Sequence, residues 1–201
     1  APAAPDLRDG DATIGGQQGL ILRTEETGEQ DFEVLLPADA VPAAWNQLMT
    51  SGAPFGIKPV GAQARELLRI EAGLPKAGPD LNEEIVPPEA NLEGKAFSLS
   101  KGCYPGQEVV ARMDTYGNVR RHLVGLIIQD KTVPPAGSKL FSGDREVGWV
   151  SSAVFSPQRN AALAFGFPLR DFSAPDTTLT VEVAGTRHQA TVHALPFQKH
   201  S

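Results

Sequence analysis

Cysteine is all but missing from this chain: it occurs once, at position 103. One thiol excludes an internal disulfide, which points to a reducing, cytoplasmic kind of compartment. It also excludes an iron–sulfur cluster resident on this chain alone, since such sites usually take about four thiolates. Long apolar runs are lacking too. None approaches the roughly 18 residues of a membrane span, so no membrane association is expected. Positive charge is scarce, with 18 Lys and Arg against 24 Asp and Glu. Beyond Arg120–Arg121 there is no basic cluster, and a nucleic-acid partner is therefore not expected. The four histidines, His122, His188, His193 and His200, match no zinc spacing, and a surface or edge position is expected for those in strands. The stretch "IGGQQG" lacks both the strand before and the lysine after that a phosphate loop needs. No signal core stands at the start, and residues 1–18 read as an irregular cut end or linker.

What is present is the composition of a folded protein: 201 residues, 41% of them hydrophobic, enough for one large or two small domains. Two β-rich runs, Leu20–Arg23 and Phe32–Leu36, flank a Thr/Glu/Gly turn suited to a hairpin. A helix is expected next, with Asp39 as N-cap, Pro42 in its first turn, apolar positions at Val41, Trp45 and Leu48, and Gly52 as terminator. In a second helix Val60, Ala64, Leu67 and Leu68 share one face, and Gly73 supplies the left-handed C-cap. The acidic, proline-rich segment from Leu74 to Leu92 should cross a surface as an ordered but irregular connection. A short helix is expected from about Gln107 to Tyr116. Beyond Arg120, short alternating runs broken by Gly, Pro and Asn predict about six antiparallel strands, closed as a small barrel or sandwich. "DREVGWV" and "VAGTRHQATV" read as hairpins of that region.

The stretch "KGCYPGQE", Lys101 to Glu108, holds the single cysteine at the entry of the expected third helix. The positive helix end and the Lys101 ammonium both favour a thiolate at Cys103. The competing reading is a small buried side chain that fills space beside glycines. Glu71 closes the second helix, where a carboxylate meets the negative end of the dipole and needs a partner. An ion pair with Arg69 or Arg65 would supply one; so would a ligand edge presenting two N–H donors to the carboxylate. Glu108 and Arg112, one helical turn apart, form a surface pair in the simplest reading. Tyr104 and Phe97 either stack on a flat ring or pack in a core.

"KGCYPGQE" resembles the K-G-C-[FY]-x-G-Q-E motif of the YgfZ family, folate-binding relatives of the glycine-cleavage T-protein, or aminomethyltransferase. "TGEQDFEVLLP" is similar to that family's T-G-x-x-G-F-E strand, with Asp31 in place of the usual glycine. "LLRIEAGLPKAGPDLNEEIVPPEANL" resembles its R-x-E-A-G-x-P segment, and "REVGWVSSAVFSP" and "ALPF" its terminal barrel. The resemblance implies an α+β protein in which part of a ferredoxin-like folate-binding domain (19–118) precedes a small antiparallel β-barrel (119–201). It implies tetrahydrofolate as cofactor, with Glu71 on the pterin edge and Tyr104, Gln107, Glu108 and Arg112 about the site. Cys103 and Lys101 are then the reactive pair. The implied function is that of an accessory protein in assembly or repair of iron–sulfur enzymes, with client or assembly proteins as partners. The alternative is folate-dependent aminomethyl transfer of the T-protein type. The resemblance further implies a portion of a longer protein, whose N-terminal region is a partner of this one. In T-proteins the carboxylate near the reacting folate nitrogens lies in that region.

Overall fold

The computed structural model of the chain describes residues 10–24, 27–94, 96–98, 102, 106 and 119–198. The chain divides into two compact units, Pro2–Arg65 and Glu66–Ser201.

In the first unit β1 (Gly10–Ile14), β2 (Gln17–Thr24) and β3 (Asp31–Leu35) form an antiparallel sheet in that order. The expected β2–β3 hairpin is present, with Leu20 opposite Leu35 and Arg23 opposite Phe32. Residues 1–18 are not an irregular end throughout, because they contain β1 and the start of β2. Little alternation marks "GDATI" as a strand; its pairing is set by the two-residue turn Gly15–Gly16. Both glycines have positive φ, 64° and 79°, the geometry that matches the twist of a tight hairpin. "IGGQQG" is thus a hairpin turn between strands. A Cβ on Gly15 would stand 2.6 Å from the Ala44 nitrogen, and the Gly15 N–H donates to Gln47 Oε1 at 2.6 Å. Helix α1 (Val41–Gly52) is pinned there.

Asp39 does not cap α1. It lies in the 3-10 turn Ala38–Ala40, and Ala40 precedes the helix without a side-chain cap. Pro42 is accommodated because the first helical N–H groups have no intrahelical acceptor in any case. Ala40 and Ala44 are buried, whereas the apolar stripe Val41, Trp45 and Leu48 remains exposed. Helix α2 (Ala62–Glu71) begins in this unit and ends in the next.

The second unit is built on a closed six-stranded antiparallel barrel: β4 (Val124–Ile128), β5 (Lys139–Ser142), β6 (Arg145–Ser156), β7 (Ala161–Gly166), β8 (Thr178–Val183) and β9 (Thr186–His193). Its strand order is β4-β7-β6-β5-β8-β9, and β9 pairs back onto β4. The α+β architecture with a terminal barrel, implied by the resemblance, is what forms, and of the barrel or sandwich that the alternating runs predict it is the barrel. "DREVGWV" and "VAGTRHQATV" are the β5–β6 and β8–β9 hairpins. Alternation along each strand sorts side chains into two cores. Val124, Leu126, Ile128, Ala162, Ala164, Ala190 and Val192 belong to the first. The intervening Ile127, Leu163 and Phe165 join Phe167, Phe197 and Ile70 of α2 in the second. Strand β7 is consequently buried along its whole length.

Candidate functional site

The last turn of α2 organises the site. Gly73 N–H donates to the Ile70 carbonyl at 3.0 Å and Leu74 N–H to the Arg69 carbonyl at 3.1 Å, with Gly73 at φ 72°. This is a Schellman closure, and it places glycine where the sequence predicts it. The buried residues are Arg69, Ile70 and Glu71. The expected face through Val60, Ala64, Leu67 and Leu68 is not the buried one, and Val60 and Leu68 are both exposed.

Arg69 does not pair with Glu71. Its guanidinium bonds Glu66 through Nε and Nη2, and Nη1 donates to the Leu74 carbonyl at 2.6 Å and to Asp80 Oδ2 at 2.8 Å. Burial alone would lower the Arg69 pKa; the hydrogen bond to Glu66 and the charges of Asp80 and Glu66 outweigh it and raise the value. Asp80 is fully buried, in a connection expected to run over a surface, and it also accepts from Lys76 N–H at 3.0 Å. Ser151 and Ser152 hydroxyls reach its other oxygen at 2.6 and 2.7 Å. Two adjacent strand residues would ordinarily point to opposite faces. Here the register slips by one between Val150 and Ser152, and such a bulge turns neighbouring side chains toward one partner. Four donors on one carboxylate make this a satisfied buried network that ties α2, the connection and β6 together. No sequence spacing could reveal it, because its members come from three separate elements.

Glu71 is buried and instead accepts from the Ser156 hydroxyl at 2.8 Å through Oε1. That bond offsets the unfavourable helix end. Its carbonyl accepts the Phe197 N–H at 2.9 Å. The second carboxylate oxygen takes no hydrogen bond from the described residues.

Immediately after Glu71, Ala72 and Gly73 line a cavity of about 460 Å³, within the range of small-ligand pockets. Its other walls come from the connection at Ala90–Leu92, from His122 to Val124, and from His193 to Pro196. His122 and His193 therefore both face this space, although neither carries a sequence signal for it. The His122 pKa is lowered, by burial and then by the Arg170 charge, against a smaller opposing effect of Glu89. His122 is thus a neutral imidazole at neutral pH. The His193 ring stacks on Phe197 at 5.3 Å, with Nδ1 against the Ala194 carbonyl. His188 lies elsewhere, paired with Asp130. Phe97 is buried, in line with the packing reading.

Lys101, Cys103, Tyr104, Gln107, Glu108 and Arg112, with the expected helix at 107–116, lie outside the described residues. Among the described residues no cluster of His, Cys, Asp and Glu is arranged to hold a metal ion, and no helix is long and apolar enough to cross a membrane.

The terminal barrel and the region before it are those of the glycine-cleavage T-protein class. Residues 5–99 match the GCVT N-terminal domain, and residues 121–199 match the glycine cleavage T-protein C-terminal barrel domain. The aminomethyltransferase of Chlorobium limicola is 35% identical over 183 residues, covering 90% of this chain and 50% of that protein. That of Geobacillus sp. is 35% identical over 190 residues, 94% of this chain and 52% of the relative. The crystal structure of the glycine cleavage system aminomethyltransferase T from Bartonella henselae superimposes with a TM-score of 0.79 at 28% identity, over 90% of this chain and 52% of that one. The chain belongs to this T-protein-like family and spans about half the length of the relatives it matches.

Proposed function

We propose that this chain binds tetrahydrofolate and serves folate-dependent aminomethyl transfer, the activity its relatives are named for. The observation that carries the proposal is Glu71: a buried carboxylate with one oxygen oriented by Ser156 and the other unengaged. A carboxylate so placed can accept the paired N–H donors of a pterin edge. The cavity that begins at Ala72, one residue after Glu71, has the volume for a heterocycle, although the Glu71 side chain is not part of its lining. At Gly73 a Cβ would stand 3.1 Å from Pro196 and 3.2 Å from Leu195, so the absent side chain is part of the opening. Tetrahydrofolate would supply the nitrogens that carry the one-carbon unit. The residues of this chain bind and orient it, with Glu71 on the pterin and His122 and His193 in the cavity wall.

Titration calorimetry with tetrahydrofolate on the wild type and Glu71→Gln tests this. Loss of one charge-assisted, buried bidentate contact should weaken binding on the order of tenfold to a hundredfold. Equal affinity in the two proteins would remove Glu71 from the ligand.

A second reading has its own support in "KGCYPGQE", the stretch similar to the YgfZ motif. In that reading the folate site serves a cysteine-dependent accessory function toward iron–sulfur enzymes. Cys103 and Lys101 act on a transient cargo, and Tyr104, Gln107, Glu108 and Arg112 contribute to the ligand site. It requires an activated thiolate. Alkylation of Cys103 by iodoacetamide across pH should then report a pKa well under the free-thiol value of about 8.5. A midpoint at the free value leaves aminomethyl transfer as the sole reading.

A further inference from the structure

Arg159 is exposed in the turn 157–160 between β6 and β7 and makes no ion pair with a carboxylate among the described residues. Its guanidinium instead donates through Nη2 to the Phe197 carbonyl, 38 residues further on. Tying a long surface side chain to one main-chain acceptor costs rotamer entropy. Phe197 passes that contact on to the end of α2. Its N–H donates to the Glu71 carbonyl at 2.9 Å, and the Gln198 N–H reaches the same oxygen at 3.3 Å. The Gln198 side chain donates to Gln158 Oε1 at 2.9 Å, a second tie to the turn. From the turn's other side, the Arg159 N–H donates to Ser156 Oγ at 3.3 Å. A hydroxyl that accepts there keeps its single proton for another partner. Ser156, fully buried, gives that proton to Glu71 Oε1 at 2.8 Å. These bonds close a ring that runs from the turn to the Glu71 side chain, and from the Glu71 carbonyl back to the turn through Phe197. Neither neighbouring element needs it. Helix α2 is already closed at Gly73 and Leu74, and the β6–β7 ladder already pairs Ser156 with Ala161. The turn itself is held by the Asn160 N–H on the Pro157 carbonyl at 3.4 Å, with Asn160 at φ 50°, a left-handed conformation that asparagine tolerates.

We propose that Arg159 is a positioning residue of the ligand site: it fixes the Glu71 carboxylate by holding Ser156 on its side chain and Phe197 and Gln198 on its main chain. Arg159 does not touch the ligand. The inference rests on the reading of Glu71 as the pterin contact. Because the ring grips the main chain and one carboxylate oxygen of Glu71 together, the plane of the carboxylate is set before a ligand arrives. Less conformational freedom is then lost on binding. The ring also separates acid from amide at this position. In Glu71→Gln the Ser156 hydroxyl would hold the amide oxygen, and the NH2 group would face the N–H donors of the ligand.

Titration calorimetry with tetrahydrofolate and amide exchange read by mass spectrometry test it on the wild type, Arg159→Ala, Glu71→Gln and the double variant. Arg159 is exposed and outside the ladder, so Arg159→Ala should keep the wild-type urea midpoint. The Phe197 and Gln198 amides should exchange on the order of tenfold faster in Arg159→Ala, with or without ligand. Tetrahydrofolate affinity should fall on the order of tenfold as well, the effect of a contact residue slightly misplaced. In the Glu71→Gln background the same substitution should change affinity by less than about twofold, because the group it positions no longer matches the ligand. Unchanged exchange at Phe197 and Gln198 would overturn the ring as a restraint on Glu71. Faster exchange with unchanged affinity would overturn the positioning role. An equal loss of affinity in both backgrounds, or a midpoint that falls in step with affinity, would overturn it in favour of a structural role. Equal affinity in wild type and Glu71→Gln is a separate failure: it removes the pterin reading, and this inference with it.

Discussion

Replacing Asp80 with alanine should lower the stability of the barrel unit by about 3 kcal/mol, the low end of the cost of stranding one member of a buried ion pair. The low end applies because Arg69 keeps Glu66 and the Leu74 carbonyl as acceptors. What it loses is the partner at 2.8 Å in the fully buried part of the network. Ser151, Ser152 and the Lys76 N–H lose their acceptor in the same step. Urea denaturation in a Trp45→Phe background, where Trp149 is the sole indole, reads the barrel unit directly. Lys139→Ala is the control. It breaks an exposed pair with Glu146 and should leave the midpoint in place. A comparable midpoint for Asp80→Ala and wild type would mean that the network contributes nothing net.

Much of this architecture could be read from alternation and punctuation. Strands β8 and β9 alternate in burial because one face of each is toward the inner core, and the hairpin at Ala184–Gly185 shows the two positive φ values that a tight turn needs. Gly73 announces the end of α2 for a similar local reason. Other features were not legible, because they depend on what lies far away in sequence. Strand β1 is made by a Gly-Gly turn and by pairing with β2, not by its own composition. Helix spacing puts Glu66, three residues before Arg69, within its reach and Glu71, two residues after it, outside; the second partner, Asp80, is brought in by the connection. The ligand-site role proposed for Glu71 came from resemblance; the bond that orients it, from Ser156, became visible only in three dimensions. His122 and His193 meet at the cavity through barrel closure of β4 on β9, which no motif encodes.

Gly148→Ala should be the most damaging single-methyl change in the barrel, costing about 3 kcal/mol. After β7 the chain continues along β6, with Phe167 N–H donating to the Trp149 carbonyl at 2.9 Å and Leu169 N–H to the Val147 carbonyl at 2.7 Å. Gly148 therefore lies under Pro168, between two ladder bonds. A Cβ there would meet the Phe167 carbonyl oxygen at 2.3 Å and Pro168 Cα at 2.7 Å. These are backbone atoms, so relief requires the two segments to separate and the bonds to lengthen. Gly125→Ala makes the informative comparison. Its Cβ would meet Phe197 Cζ at 2.7 Å and Leu195 Cδ2 at 3.0 Å, side-chain atoms that can turn away, at an expected cost of about 1 kcal/mol. Phe197 carries the His193 ring at the cavity wall, so Gly125→Ala should weaken tetrahydrofolate binding out of proportion to its effect on the urea midpoint. Gly148→Ala should do the reverse at urea concentrations where it remains folded. Midpoints and calorimetric affinities measured on both variants check the pair, and equal stability losses would show that the β6–Pro168 contact yields as readily as a side chain.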